Sequence, residues 1–328
     1  MLRSLYAGIS GMKANQQKLD VIANNIANCG TTAFKSSRVR FQDMVSQSMS
    51  DASSSSTNTG GVNGKQIGLG VQIAGIDNMV GQGMMQPTSR NLDVAMDGEG
   101  YLIVANGPIE GTIPVDTTGH TMGTSTLNTS YTRDGALTLD DAGHLLTSDG
   151  LRVMGYAINS SLSYANGATT TTFVDANGKT ALTAGTELIP LSIPDKITVG
   201  STTAKVKSFS IEKDGTIKAT LDNDGVTVIG QIAMATFNNP AGLSKVGKNQ
   251  YASTSNSGQA VVRSGLGDTT NDNSKAYGNM LSGMLEMSNV DLAEQFTDMI
   301  VASRAFQAMG KTITTGDEIL QDIIGLKR

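Results

Sequence analysis

The sequence has few of the residues on which metal and disulfide sites depend. Its 328 residues include one cysteine, Cys29, and two histidines, His120 and His144. A single cysteine excludes an intrachain disulfide and a cysteine-based zinc site, and we expect Cys29, beside a predicted helix end, to serve packing rather than chemistry. Both histidines lie in turn-rich sequence, where we expect surface residues instead of metal ligands. We therefore predict no metal site and no cofactor.

The chain is also poor in aromatic residues, at 4% with no tryptophan, and its net charge is −5. It contains no basic cluster, which argues against a nucleic-acid partner. It has no run of about eighteen apolar residues, so we predict no membrane insertion. The first residues lack the apolar region of a cleavable signal peptide. A cytosolic protein and a protein exported by a signal-free route both fit that pattern.

Catalytic motifs are equally scarce. The sequence shows no nucleophile elbow, phosphate-binding loop or paired carboxylates. The stretch Thr220–Gly225 (TLDNDG) starts like a calcium-binding loop, but its twelfth position is Gln231 instead of glutamate, so we interpret it as a hairpin turn. We predict that the protein is not an enzyme. A carbohydrate-binding or hydrolytic β protein stays open as a further class, because strand patterns dominate the middle of the chain.

What the sequence does have is an apolar heptad pattern at each end. The first predicts a helix ending near Gly30, with the seam Leu2, Leu5, Ile9, Met12, Gln16, Leu19, Ala23 and Ile26. The second follows a predicted capping box at Ser288 and has the seam Leu292, Gln295, Met299, Ala302, Phe306, Met309, Ile313, Gly316, Leu320 and Ile323. Further apolar residues widen the stripes, as in helices with more than one neighbour: Val21, Ile22, Phe296, Ile300 and Ile324.

Spacing alone leaves two arrangements of these helices open. They pack either on each other and the rest of a monomer, or against the helices of further subunits. The polar seam residues Gln16 and Gln295 either fix the register or are merely tolerated.

Between about Ile67 and Tyr277 the pattern changes to short apolar runs separated by Asp-Gly and Asn-Gly turns, as in antiparallel hairpins. We predict a mainly β fold with terminal α-helices: a discontinuous antiparallel β body plus a coiled-coil-like layer of N- and C-terminal helices. The predicted domains are a terminal helical domain (1–30 and 288–328), a connecting segment that is partly low-complexity (31–75), a β-rich body (76–158 and 186–287) and a small insertion or outer lobe (159–185).

Five segments, in order over most of the chain, form a recognisable set: LYAGISGMKANQQKLDVIANNIAN with TTAFK (5–35), QGMMQPTSRNLDVAMDGEGYLIV (82–104), YTRDGALTLDDAGHLLTSDGLRVMGY (131–156), GQIAMATFNNPAGLSKVGKNQY (230–251) and residues 285–328. They resemble the signatures of bacterial flagellar rod and hook proteins. The last segment and KSSRVRFQDMVSQS (35–48) are most similar to hook proteins, in the style of Gram-positive bacteria, and distal rod proteins are the alternative. One departure is Ala33, where the family has glycine. Gly30 is the candidate to take over that turn.

The resemblance implies a structural subunit of the flagellar hook, which polymerises helically into a flexible hollow tube and acts as a universal joint between basal-body rod and filament. Its partners would be copies of itself, the distal rod, hook cap and hook–filament junction proteins, and the type III export apparatus. It would be extracellular, in the hook and basal body, and exported without a cleavable signal peptide. Its predicted axial-core residues at subunit interfaces are Leu2, Leu5, Ile9, Met12, Leu19, Ile22, Ile26, Leu292, Phe296, Met299, Phe306, Met309, Ile313, Leu320 and Ile323.

Overall fold

The chain forms two compact units. The structure, a computed structural model, describes residues 2–55, 60–165, 168–176, 182–200, 202–267 and 278–326, apart from the side chains of residues 2, 3, 165 and 168. The helical unit comprises Met1–Gly30, Lys35–Met79 and Val290–Arg328, and the body comprises Thr31–Phe34 and Val80–Asn289. The predicted class, mainly β with terminal helices, is confirmed.

Both predicted terminal helices are present: α1 is Leu2–Ala27 and α2 is Leu292–Gly325. The N-cap of α2 is Asp291, whose carboxylate accepts hydrogen bonds from the backbone N–H groups of Ala293 (2.8 Å) and Glu294 (3.3 Å). The predicted capping box at Ser288 is wrong. Asp291 still has extended backbone (φ −86°, ψ 109°), so the helix begins at Leu292 instead of directly after Ser288.

Two antiparallel hairpins occupy most of the segment 31–75 that the sequence predicts as a connector. Their strands are β1 (Ser37–Asp43), β2 (Ser46–Ser50), β3 (Lys65–Gly68) and β4 (Val71–Asn78), of which β1 pairs with β4 and β2 with β3. The prediction of a simple connector is wrong from Lys35 onward, because these strands belong to the same compact unit as the helices. A long polar stretch separates β1 from β4 in sequence, which hides their pairing. Every residue of β2 and β3 is exposed, as their low apolar content requires.

The body consists of short strands. In chain order they are β5 (Met85–Pro87), β6 (Val94–Asp97), β7 (Tyr101–Asn106), β8 (Ile113–Pro114), β9 (Asn128–Thr132), β10 (Thr138–Leu139), β11 (Leu145–Leu146), β12 (Arg152–Ile158), β13 (Leu162–Ala165), β14 (Ala168–Thr171), β15 (Ala184–Pro190), β16 (Lys196–Val199), β17 (Thr202–Ile211), β18 (Thr216–Leu221), β19 (Val226–Ile232), β20 (Met234–Thr236), β21 (Ser244–Gly247), β22 (Gln250–Ala252), β23 (Val261–Val262), β24 (Asn279–Ser282) and β25 (Met284–Glu286), with a short 3-10 helix at Pro240–Gly242.

The main sheet of the body runs β16-β17-β18-β19-β12-β7-β9-β22-β21. Its neighbouring strands are antiparallel throughout, as predicted. The stretch Thr220–Gly225 closes the β18–β19 hairpin, and Asp224 has a φ of 59°. It is therefore the predicted turn.

The segment 159–185 does not form a lobe of its own among the described residues. Leu162 of β13 belongs to the same core cluster as Ile189, Leu191 and Ile197, and β15 pairs with β12. Of the predicted small insertion or outer lobe, the separate lobe is therefore wrong. The composition of this segment predicts a separate lobe, because Thr, Ala and Asn surround its few buried positions. Parts of this segment, residues 166–167 and 177–181, lie outside the described residues.

A buried ion pair joins the end of β25 to the loop after β9. Arg133 Nε lies 3.1 Å from Glu286 Oε2, and both side chains are buried. Glu286 Oε1 accepts a hydrogen bond from the N–H of Gly83 (2.8 Å), and Arg133 donates to the carbonyl of Gly98. The guanidinium also lies over the ring of Tyr101, 5.6 Å from its centroid. Since either charge buried alone would be costly, the pair fixes β25 in the body.

The chain turns from α1 toward β1 through Ala33. This residue is buried, its φ is 55°, and its N–H donates to the carbonyl of Glu286 (2.8 Å). Gly30 is not in the left-handed region, so the expectation that Gly30 takes over the turn is wrong. Ala33 adopts the left-handed conformation itself, at a cost of roughly 1–2 kcal/mol for a residue with a Cβ atom.

Both histidines are buried, and the prediction that they are surface residues is wrong. His120 is 8% exposed and His144 is 2% exposed. Their turns fold back on neighbouring strands: the carbonyl of His120 accepts from the N–H of Val262 (2.8 Å), and His144 forms a β-bridge with Ser192. Turn-rich sequence predicts exposed residues, but these two turns are covered by neighbouring strands.

We expect Glu286→Gln to lower the free energy of unfolding of the body by about 3 kcal/mol, because the amide keeps the side-chain shape but leaves Arg133 buried without a counter-charge. Glu212→Gln is the matched control. It removes an ion pair with Lys218 (2.8 Å) that is partly exposed and should cost less than about 1 kcal/mol. Urea unfolding followed by the near-ultraviolet circular dichroism of tyrosine measures both. Equal losses of unfolding free energy in the two variants would show that burial of the Arg133–Glu286 pair does not set its contribution.

The stability of the body should fall as the pH drops below the ordinary pKa of histidine. Burial lowers the pKa of His144, the carboxylate of Asp140 opposes this, and Arg152 lowers it further. The folded body therefore binds this proton less readily than the unfolded chain. The contribution of His144 is complete above about pH 6.5 and is lost as the pH falls toward the lowered pKa.

Urea midpoints at about pH 7.5 and about pH 5.5 test this expectation. The drop between them should be smaller in His144→Gln than in the wild type. A His144→Gln variant with unchanged pH dependence would show that other groups cause it.

Candidate assembly surface

α1 and α2 pack antiparallel within the helical unit. From one end to the other, the opposed residues are Leu5 with Gly316, Gly8 with Ile313, Gly11 with Met309, Lys18 with Asp298, and Asn25 with Gln295. A Cβ atom on Gly8 would lie 3.3 Å from the side chain of Ile313, and one on Gly316 would lie 2.8 Å from that of Leu5. Glycine therefore lets the two helices approach closely.

Polar side chains fix the register of the pair. Lys18 Nζ lies 3.3 Å from Asp298 Oδ1. The buried side chain of Asn25 donates to Gln295 Oε1 (3.0 Å) and to the carbonyl of Ser37 (2.8 Å), and it accepts from the Ser37 N–H (3.0 Å). Asn25 thus holds α1 to both α2 and β1. Of the two polar seam residues, Gln295 has a partner in the pair, whereas Gln16 is exposed.

The contact face of α1 is displaced from the predicted seam. The residues of α1 that face α2 include Gly8, Gly11, Lys18 and Asn25, each one position before the predicted Ile9, Met12, Leu19 and Ile26. One position is about 100° around a helix, so the larger apolar residues lie on the flank of the contact. On α2 the predicted seam residues Gln295, Met309, Ile313 and Gly316 do face α1.

Most of the predicted axial-core residues are not buried within the chain. Ile22 is buried. The half-buried ones are Leu5, Met12, Leu19, Ile26, Met299, Met309, Ile313 and Leu320, and the exposed ones are Ile9, Leu292, Phe296, Phe306 and Ile323. The side chain of Leu2 lies outside the described residues. Cys29 is half-buried.

The large exposed apolar side chains concentrate in the helical unit. On the helices they are Tyr6, Ile9, Leu292, Phe296, Ile300, Val301, Phe306, Ile319, Ile323, Ile324 and Leu326, and on or beside the hairpins they are Phe41, Met44, Val45, Met49, Val62, Ile67, Leu69, Ile76 and Met79. The body adds Met84, Leu139 and Val246. Conversely, the buried apolar side chains in the described part of the helical unit are Ala14, Ile22 and Ala302. This unit presents apolar surface and has almost no core.

The exposed apolar positions of α2 flank its seam on both sides. At about 100° per residue, Phe296 and Ile300 lie roughly 120° and 160° from the buried Ala302 in one sense of rotation. Val301 and Ile319 lie roughly 100° from it in the opposite sense. A single apolar stripe serves one neighbour. The seam of α2 is already in contact with α1, so the apolar residues on its two flanks are suited to contacts with further helices on both sides.

The sequence reasoning missed the apolar residues of the hairpins. A signal was present in β4, where half-buried Val71 and Ile73 alternate with exposed Gln72, the period of a strand with one covered face. In the partner strand β1 the same alternation ends after Arg40, where the register shifts between Arg40 and Phe41. The interruption breaks the pattern that would have predicted the pair.

Comparison with known proteins identifies the family. The models that match are "Flagella basal body rod protein" at residues 5–35, "Flagellar hook protein FlgE/F/G D1 domain" at 95–219 and "Flagellar basal body rod FlgEFG protein C-terminal" at 281–326. A Bacillus subtilis protein named flagellar basal-body rod protein FlgG is 41% identical over 329 residues, covering 100% of both chains. The chain belongs to the flagellar rod and hook protein family.

Two Borreliella burgdorferi members of the flagellar rod and hook family are also similar over 100% of both chains. The flagellar hook protein FlgE is 29% identical over 468 residues, and the flagellar basal-body rod protein FlgG is 31% identical over 332 residues. The family consists of structural proteins, which confirms that the chain is not an enzyme. Among the described helices, none is both long and apolar enough to span a membrane.

In this member of the rod and hook family, Gly11→Val should destabilise the helix pair by about 1–3 kcal/mol, because its Cβ would lie 3.3 Å from the sulfur of Met309. Gly310→Val is the matched control, since nothing lies within 4 Å of a Cβ there. Thermal melting at 222 nm reports on α1 and α2. If Gly310→Val lowers the stability of the helix pair as much as Gly11→Val does, the cause is the helix propensity of valine and not the contact with Met309.

Proposed function

We propose that this chain is a structural subunit of the flagellar hook, which polymerises helically into a flexible hollow tube and joins rod to filament. The observation that carries the proposal is the helical unit, whose large apolar side chains are exposed while its buried apolar side chains are Ala14, Ile22 and Ala302 in the described part. Burying one large apolar side chain is worth about 1.5–3 kcal/mol. Contacts between subunits would therefore supply the stability that the unit does not obtain alone.

The distribution of the apolar residues favours a helical array over a closed dimer. A twofold interface uses one patch on each subunit, whereas α2 exposes apolar residues on two flanks and the hairpins expose more at Phe41, Val45 and Met49. Repeated heterologous contacts between different patches generate rings or open helical polymers. The predicted axial-core residues remain part of this proposal as the interface of that polymer.

The surface of the body supports the flexible form of the tube. Its described surface has three large exposed apolar side chains, Met84, Leu139 and Val246. Contacts made by polar surfaces are weaker and are readily exchanged for other polar contacts or for water. Such contacts would permit neighbouring bodies to shift as a hook bends.

The second candidate is the distal rod, a straight and stiffer tube. The 41% identity to a Bacillus subtilis protein named as a rod component favours it, together with the match over the whole of both chains. Both candidates use the same helical unit.

Electron microscopy of the polymer assembled from the purified chain separates the two candidates. We expect curved or supercoiled tubes if the hook proposal is right. A polymer that is straight under all conditions of pH and salt would support the rod candidate instead, and a chain that forms no tube at all would oppose both.

The proposed partners follow from the proposed place of the subunit. They are the distal rod, the hook cap, the hook–filament junction proteins and the type III export apparatus, and the proposed location is the extracellular hook and basal body. Export would proceed without a cleavable signal peptide. Neither nucleic acid nor membrane insertion belongs to this proposal.

We expect Ile300→Asp to abolish tube assembly, because it places a charge in an apolar contact between subunits. Val246→Asp is the matched control, since both side chains are 62% exposed but Val246 lies on the body. Sedimentation of the polymer and swarming of a complemented strain measure the effect, and circular dichroism checks that the monomers fold alike. Assembly by the Ile300→Asp variant would remove α2 from the proposed interface.

A further inference from the structure

The body contains a cavity of about 290 Å³ outside the helical unit. Three segments line it together with Tyr156 of β12: Val115–Thr117 with His120, Thr183–Thr186 at the start of β15, and Ser264–Gly267. Backbone hydrogen bonds connect the three segments. The N–H of Val115 donates to the carbonyl of Thr186 (3.1 Å), and the N–H of Ala184 donates to the carbonyl of Leu266 (2.9 Å). The cavity is therefore built by paired backbone.

His120 is an unfavourable residue for the wall of an empty cavity. It has a left-handed φ of 50° despite carrying a side chain. Its imidazole is buried, and Nε2 has no hydrogen-bond partner among the described residues. Backbone strain and an unpaired buried polar atom each reduce stability. Residues that break such local rules are concentrated at functional sites.

The lining indicates the chemistry of a ligand. The described lining includes no lysine or arginine, so the cavity offers nothing to balance a phosphate or a carboxylate. It does offer the hydroxyls of Thr117 and Thr186 and the carboxylate of Asp116. That carboxylate is already oriented by hydrogen bonds from the N–H groups of Thr118 (3.1 Å) and Gly119 (3.2 Å). These groups are suited to the hydroxyls of an uncharged ligand.

We propose that this cavity binds a neutral, hydroxyl-rich ligand of the size of one sugar residue. Its volume of about 290 Å³ lies just below the usual range of ligand pockets, about 300–1,000 Å³, which suits one ring and not an oligosaccharide. The ligand hydroxyls bond to the carboxylate of Asp116 and the hydroxyl of Thr186, and the ligand lies beside His120 in the cavity wall. None of the residues that line this site belongs to the helical unit.

The two histidines allow a direct test on the full chain. Each gives one imidazole Cε1–Hε1 signal in a carbon–proton correlation spectrum, assigned by His120→Gln and His144→Gln. We expect glucose or N-acetylglucosamine at millimolar concentrations to shift the His120 signal to saturation. The signal of His144, which does not line the cavity, should stay in place.

Variants locate the binding. Thr186→Val removes one hydroxyl and should weaken binding about fivefold, the effect of one neutral hydrogen bond. Thr203→Val, an exposed position of β17, should change nothing. If the His120 signal does not move with either sugar, the cavity holds water only and the proposal is overturned. It is equally overturned if both histidines shift together, or if the two threonine variants bind alike.

Discussion

The antiparallel contact between α1 and α2 is the interaction on which the helical unit and its exposed apolar surface depend, because it joins the first and last segments of the chain in one unit. The contact is narrow. Glycines at positions 8, 11 and 316 allow close approach, and Asn25 and Lys18 set the register through polar contacts. Small residues in the seam leave the large apolar residues on the flanks. The same choice of residues that closes the pair thus creates the surface available to neighbours.

The body is stabilised in a different way. Its aromatic side chains Tyr101, Phe237, Tyr131 and Tyr251 pack edge to face, and the buried pair of Arg133 and Glu286 is satisfied by nearby backbone groups. A buried charge pair with fixed partners favours one arrangement over others, since a shifted strand would leave charges unpaired. The body is therefore complete as a monomer, and the helical unit is not.

Sequence reasoning found the elements whose pattern is local. The two heptads predict α1 and α2, because apolar spacing records which face of a helix is covered. The displaced seam of α1 could not be predicted that way, since the heptad marks Ile9 and Met12 while Gly8 and Gly11 make the close approach. A glycine has no side chain to mark a buried face. The pairing of β1 with β4 was missed for a related reason, because it spans a polar stretch and a register shift.

Other features could not be predicted because the residues in contact are far apart in sequence. Nothing near Ala33 indicates that its N–H bonds to Glu286, and nothing near His144 indicates that Ser192 lies beside it. The sequence does mark segments that contain these partners, because TTAFK, TRDG and LEMSN all belong to the segments that carry the family resemblance. The sequence cannot show why these three segments occur together. The structure supplies the reason: Ala33 and Arg133 both bond to the same residue, Glu286.

The difference between a bending and a straight tube is best sought in the body. Large apolar side chains interlock in few arrangements, because a displaced one leaves a void or a clash. Contacts made by the flanks of α2 would therefore resist sliding in either kind of tube. Polar contacts between bodies tolerate displacement, because water replaces a broken hydrogen bond at little cost. Stiffness then depends on how many apolar or buried charged contacts the bodies make with one another. With three large apolar side chains exposed on its described surface, the body has few such residues to offer, and this is the physical argument for a hook over a rod.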